Sequence, residues 1–248
     1  MARVLVLQHV AAEPLGVLDP MLRQRGHRIR YVNFARDPDA QPRLERYQAL
    51  IILGGPMQIG QAGRHPHLVT ECRLIEQALH EELPMLGICL GGQLLAHVLG
   101  GRVGPGEQAE IGWYPLHPTA ATPDDKLLAP LIEPHPIFQW HHWGFDCPPD
   151  AISVADNPDS GCQAFRAGES AWGFQFHLEL DRRLIHRWLT LPFYRNDLSD
   201  SGLARTPDQI EADTDQYLPD TLKLADKVFG AWLNQLDTPS QRIVLGSR

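Results

Sequence analysis

The sequence predicts an α/β fold: an open, mostly parallel sheet flanked by helices, with antiparallel additions and a helical C-terminal tail. Three observations predict it. Short apolar runs alternate with amphipathic segments over the first hundred residues, shorter runs separated by turns follow, and one long apolar stripe at helical spacing closes the chain.

Taken in order, Val4-Leu5-Val6-Leu7 is apolar on both faces, which suits a buried parallel strand, and with a single charge before it the run is too short for a signal segment. Helix is predicted over 15–24, 67–82 and 90–99, and strand over 28–32, 50–53 and 85–88. Shorter strands over 111–115, 137–140, 152–155, 163–166 and 172–177 are expected as antiparallel additions. Pro192 should end any helix begun near Asp181, and the polar, glycine-containing stretch 196–205 reads as a loop. Thr206-Pro207-Asp208-Gln209 is a capping box with proline at the first helical position. Leu222, Ala225, Val228, Phe229, Trp232, Leu233 and Leu236 then form a stripe expected to pack on the domain rather than on a partner. Residues 1–190 are read as one domain and 191–248 as a loop and helical extension packed on it.

Chemistry concentrates at Leu86-Gly87-Ile88-Cys89-Leu90-Gly91-Gly92-Gln93, where a strand pattern gives way to a helix pattern. A cysteine alone is more often a buried structural thiol. Here glycines at 87 and 91 permit a sharp strand-to-helix turn, and the helix starting at Leu90 aims free N–H groups at the sulfur, a field that favours a thiolate. Phe174-Gln175-Phe176-His177-Leu178-Glu179 supplies a base and an orienter, which period-2 alternation would place on one face of a strand. Gly54-Gly55-Pro56, just past a strand, offers the Gly55 amide, which with the amide of Leu90 would form an oxyanion hole. Cys89, His177 and Glu179 are therefore the candidate catalytic residues.

These motifs resemble those of the class I, or triad, glutamine amidotransferases, in particular standalone proteins similar to the glutaminase domain of GMP synthetase. Gly-Gly-Pro, Gly-x-Cys-x-Gly-Gly-Gln and Gln-Phe-His-x-Glu occur in that family's order, and the likeness runs from about Arg3 to Leu189. It implies that Cys89 attacks the side-chain amide of glutamine, that ammonia leaves with a proton from His177, and that water releases glutamate from a γ-glutamyl thioester. It also implies substrate contacts at Gln93, Trp140 and His141. Two departures stand out. Leu178 replaces the proline of His-Pro-Glu, and Gln139-Trp140-His141-His142-Trp143 replaces Gln-Trp-His-Gly-Asp, so an aromatic stands where the family has an acid beside the glutamine pocket.

Composition narrows the alternatives. The chain of 248 residues carries a net charge of −8 and no basic stripe, which disfavours a nucleic-acid partner. Four cysteines without paired short spacings fit neither a zinc site nor a disulfide framework, and the expected home is a reducing, cytoplasmic compartment. No stretch is long enough to cross a bilayer. No phosphate-binding glycine loop is present, so no cofactor is expected. No metal is expected either, since His141 and His142 are adjacent, would face opposite ways on a strand, and with His135 lack a completing carboxylate.

Residues 180–248 are fewer than an ammonia-using synthetase domain needs, so released ammonia would go to a separate subunit. Beside glutamine hydrolysis stand two alternatives: a γ-glutamyl hydrolase or peptidase acting on other γ-glutamyl compounds, and a non-catalytic binding module.

Overall fold

Apolar runs with no polar face are satisfied only by burial on both sides, and the computed structural model, which describes residues 1–237, places them at the centre of one sheet. Its strands in chain order are β1 (Arg3–Gln8), β2 (Arg28–Asn33), β3 (Ala49–Ile52), β4 (Met85–Ile88), β5 (Val103–Pro118), β6 (His135–Phe145), β7 (Ala151–Asn157), β8 (Gly161–Ala167) and β9 (Ala171–Phe174). Across the sheet they run β2-β1-β3-β4-β9-β8-β7-β5-β6. The first five in that order are parallel and the remainder antiparallel.

Helices α1 (Leu18–Gln24), α2 (His67–His80), α3 (Leu90–Val98), α4 (Arg182–Thr190), α5 (Pro192–Asp200) and α6 (Pro207–Asp237) cover both faces. Alternation along β1 divides the core. Val4 and Val6 pack under α1 and α6 with Trp232 and Phe229, while Leu5 and Leu7 pack under α2 and α3 with Ile75 and Leu94. Each fully buried side chain of this size contributes about 1.5–3 kcal/mol of transfer free energy. A third cluster joins Trp113, Phe138 and Trp140 of β5 and β6 to Trp188 of α4 and Tyr194 of α5. The stripe of α6 from Ala225 to Leu236 is buried in the first cluster, and the capping box forms, with Gln209 donating to Thr206 Oγ1 at 3.2 Å and Thr206 N–H to Gln209 Oε1 at 2.9 Å. Residues 238–248 of the expected extension lie outside the described residues. Among the described residues no helix is long and apolar enough to cross a membrane.

Three expectations are corrected. The last strand, expected as an antiparallel addition over 172–177, is instead parallel to β4 and stops at Phe174, so His177 and Glu179 lie beyond the strand rather than on one of its faces. β5 is longer than the predicted 111–115 because Gly104, Pro105 and Gly106 disguise its first part, where the register shifts between Pro105 and Glu110. Pro192 does end α4, with Leu191 extended, yet the same ring opens α5 at its first turn. That helix occupies much of the stretch read as a loop over 196–205.

Candidate active site

The turn between β4 and α3 is built as its glycines require. Cys89 has φ 52° and ψ −108°, a conformation rare for a side chain with a Cβ and costing about 1–3 kcal/mol. A Cβ on Gly87 would lie 2.6 Å from the Gly91 carbonyl carbon and 2.8 Å from Gly92 N, so only glycine lets the chain fold back so tightly. The Cys89 N–H donates to the Phe174 carbonyl at 2.8 Å, tying the turn to the end of β9.

Because β9 is parallel to β4, the chain leaves both strands at the same edge of the sheet, the edge where reactive groups collect in open α/β folds. Three residues past β9, the His177 N–H donates to the Phe138 carbonyl at 2.9 Å, and its ring Nδ1 bonds Glu179 Oε1 at 2.7 Å. Trp188 packs T-shaped against that ring, with centroids 4.9 Å apart and 89° between planes, and restrains its tilt. Both side chains are buried. Burial acts to lower the His177 pKa, but the Glu179 charge and hydrogen bonds to Cys89 and Glu179 outweigh it and hold the imidazole well above its ordinary range. The thiol also lies 3.7 Å from Gln175 Nε2 and 3.9 Å from the Trp140 carbonyl.

Beside the thiol is a cavity of about 190 Å³, lined by Gly55, Pro56, Met57, Gln93, residues 140–143 and residues of α4 and α5. Pockets for drug-sized ligands run to roughly 300–1,000 Å³, so its occupant is small. The N–H groups of Gly55 and Leu90 take no hydrogen-bond partner among the described residues. Of the residues expected to contact substrate, Gln93 spends its amide on the Trp143 carbonyl at 2.9 Å and Gln175 Oε1 at 3.2 Å, which fixes the 140s segment. Trp140 lines the cavity while its indole N–H donates to Asp197 Oδ2 at 2.7 Å, and His141 is backed by Glu110, 3.1 Å from its Nε2. Trp143 stands in the wall and leaves the cavity open.

Sequence reasoning missed Glu13 and three residues of α5. Glu13, five residues past β1 at the same sheet edge, lines the cavity, accepts from Tyr194 Oη at 2.8 Å, and is pushed above the usual carboxylate range by burial. Its position at a strand's carboxyl end was the available signal. Phe193, Tyr194 and Asp197 of α5 line the cavity as well, from a segment that carries no motif to bring it there.

The histidines weighed against a metal set separate: His135 bonds Thr221 Oγ1 at 3.1 Å, His141 faces Glu110, and His142 bonds Asp197 Oδ1 at 2.9 Å. The Asp197 bond raises the pKa of His142 against the lowering effect of burial. Burial raises that of Asp197, but the bonds from His142 and Trp140 win and leave it below its ordinary value. The pair therefore stabilises the α5 contact between the folded pKa of Asp197, below 3.8, and that of His142, above 6.5, and the contribution fades outside that window on either side. Asp197→Asn is expected to move the NMR titration midpoint of His142 down toward 6.5; an unmoved midpoint would strip the pair of energetic content.

Comparison with known proteins adds a family-level likeness. Residues 16–190 match the family model described as glutamine amidotransferase class-I. A crystal structure of a glutamine amidotransferase from Thermotoga maritima is 31% identical, with TM-score 0.82, covering 94% of this chain and 97% of that one. A glutamine amidotransferase-like protein of Salmonella typhimurium is 28% identical over 180 residues, 71% of this chain and 75% of its own length. The glutamine-hydrolyzing GMP synthase of Porphyromonas gingivalis is 39% identical over 120 residues, 46% of this chain but only 23% of that protein.

Proposed function

The chain belongs to the class I glutamine amidotransferase family, and on that premise we propose that it hydrolyses the side-chain amide of glutamine through a γ-glutamyl thioester on Cys89. The observation that carries the reading is the meeting, at one sheet edge, of a strained Cys89 with a buried His177 whose far nitrogen is held by Glu179. In this mechanism His177 takes the thiol proton as the Cys89 sulfur adds to the amide carbon, and charge develops on the amide oxygen between the N–H groups of Gly55 and Leu90. The imidazolium of His177 gives its proton to the departing nitrogen as the C–N bond breaks, so ammonia leaves and the thioester remains. His177 then takes a proton from water, whose oxygen attacks the thioester; glutamate departs and the thiol is restored. Glu179 fixes the ring's tautomer and steadies its charge throughout.

On this reading His177→Ala removes proton transfer, and Glu179→Gln removes only orientation and charge. Glu179→Gln is expected to slow turnover about 10²–10⁴-fold and His177→Ala more. Initial rates of glutamate release decide the order, and the reverse order would count against these roles.

A second reading has its own support. The cavity wall is rich in aromatics, and Phe193 at its rim is 57% exposed, a surface larger than ammonia uses. It suits γ-glutamyl amides with an apolar group on nitrogen. A panel of glutamine beside γ-glutamyl amides and peptides, read as glutamate release by the purified chain, separates the two; no turnover of any member would return the protein to the binding-module reading. The ammonia from glutamine would pass to a separate synthetase subunit.

A further inference from the structure

Behind the Gly54-Gly55 turn lies a buried chain of side chains that the proposed mechanism does not use. The Nδ1 of His9, just past β1, is 2.8 Å from the Gly54 carbonyl oxygen, and its Nε2 is 2.9 Å from Glu71 Oε2. Glu71 Oε1 in turn takes a bond from His67 Nδ1 at 2.8 Å, both residues being on α2. His9 and Glu71 are fully buried, and Phe34 stacks on His67 at 4.7 Å. A Cβ on Gly55 would lie 2.7 Å from His9 Cβ and 2.9 Å from its Cγ, so glycine at 55 is what lets the turn rest against this ring.

The protons of His9 follow from its partners. A carbonyl oxygen only accepts, so Nδ1 carries a hydrogen. Nε2 faces a carboxylate, and two lone pairs at 2.9 Å would repel, so a proton belongs there too. The carbonyl of Gly54 and the N–H of Gly55 are the two ends of one peptide group, trans like every peptide described here, and so point in opposite directions. A donor on the oxygen both fixes which way that N–H points and draws electron density away from it, strengthening it as a donor.

We infer that His9 is a positioning residue: its doubly protonated ring, held by Glu71, bonds the Gly54 carbonyl and so aims and polarises the Gly55 N–H that receives the oxyanion. The inference rests on the proposed function for its catalytic meaning. The groups facing His9 are Glu71 and His67 of α2, Glu13 after β1 and His65 just before α2. Burial works against the charged ring, and the charge and hydrogen bond of Glu71 outweigh it, so the His9 pKa lies above its ordinary value. Glu71 stays below its own despite burial, because His9 and His67 face it. The atoms of His9, His67 and Glu71 also lie within 4.8 Å of one another, close enough to be considered as metal ligands, and on this inference protons fill the place a cation would take.

The test begins with the wild-type chain and needs no substrate. Ring ¹⁵N spectra are expected to show both nitrogens of His9 protonated from pH 6 to 8, and Glu71→Gln is expected to remove one proton and shift the Gly55 amide resonance. A neutral ring, an unmoved Gly55 amide, or one equivalent of tightly held divalent metal would each overturn the inference. In turnover, Glu71→Gln and His9→Asn, which keeps an amide donor without the charge, are expected to lower kcat about tenfold, a fraction of the 10²–10³ lost with a whole oxyanion donor. KM and the rate of Cys89 alkylation by iodoacetamide, a displacement that forms no oxyanion, should stay within about twofold. An unchanged kcat, or alkylation falling in step with it, would overturn the positioning role. If the wild-type chain releases no glutamate from any substrate, the proposed function fails, while the ring and amide spectra still decide the state of His9.

Discussion

Cys89→Ala is expected to fold as the wild-type chain does and to release no measurable glutamate, a loss on the order of 10⁴–10⁶ in kcat. The size follows from what remains. On the proposed mechanism no thioester forms without sulfur, and the oxyanion donors and substrate binding alone leave a residual rate of about 10³–10⁴ over the reaction in water. The fold should survive because the side chain removed is small and alanine meets much the same backbone strain at φ 52°. A thermal midpoint within about 2 °C of wild type, with rate abolished, is the expected pair of results; an unchanged rate would dismiss Cys89 as nucleophile.

An electrophilic glutamine analogue should likewise label Cys89 alone. Burial pushes the thiols of Cys72 and Cys162 up to about 11 and about 12 and raises that of Cys147, so their thiolate fractions at neutral pH are negligible. Mass spectrometry that finds the adduct on one of those three would relocate the site.

Gly91→Ala is expected to cost substantial stability. A Cβ there would lie 2.7 Å from the carbonyl carbon of Ile52 and 2.8 Å from its Cβ, and the atoms met are backbone and a β-branched side chain at the end of β3, which cannot swing aside. Alanine gains about 1 kcal/mol in helix propensity over glycine. Overpacking against a fixed neighbour costs about 1–3 kcal/mol and sometimes more, and with no flexible atom to yield the upper end applies. The net expectation is a fall of about 2 kcal/mol or more, some 4–8 °C in Tm for a chain of this length. Because the relief available is a shift of α3, the Leu90 N–H should move with it, and turnover should fall further than the loss of folded protein explains. Equal midpoints by thermal unfolding would show that α3 and β3 approach less closely than this.

The elements with the plainest periodicity were legible. β4 and the start of α3 fall where the apolar run and the 3.6-residue spacing place them, since both follow from local burial patterns. The capping box at Thr206 was equally readable, because its donors and acceptors are three residues apart. Segments whose state depends on distant partners were not. The helix α5 opens on a proline that reads equally as the stop of α4, begins without a side-chain cap and takes its burial from Trp140 and Trp188, so little within its nine residues announces it. The first part of β5 carries two glycines and a proline and is a strand because β6 pairs with it.

The sequence by itself determined the parts: an α/β chain of the class I amidotransferase type, a cysteine at a glycine-flanked turn, a histidine with a glutamate two residues on, and a glycine pair after a strand. Those are local facts, written in neighbouring residues. Only the tertiary structure decided that β9 runs parallel beside β4, which delivers His177 to the edge that holds Cys89 from 88 residues away in the chain, and that Glu71 of α2 reaches His9 behind the Gly54-Gly55 turn. Strand order and partners far apart in the chain depend on which buried faces match across the whole core, and a single stretch of sequence holds only one side of each match.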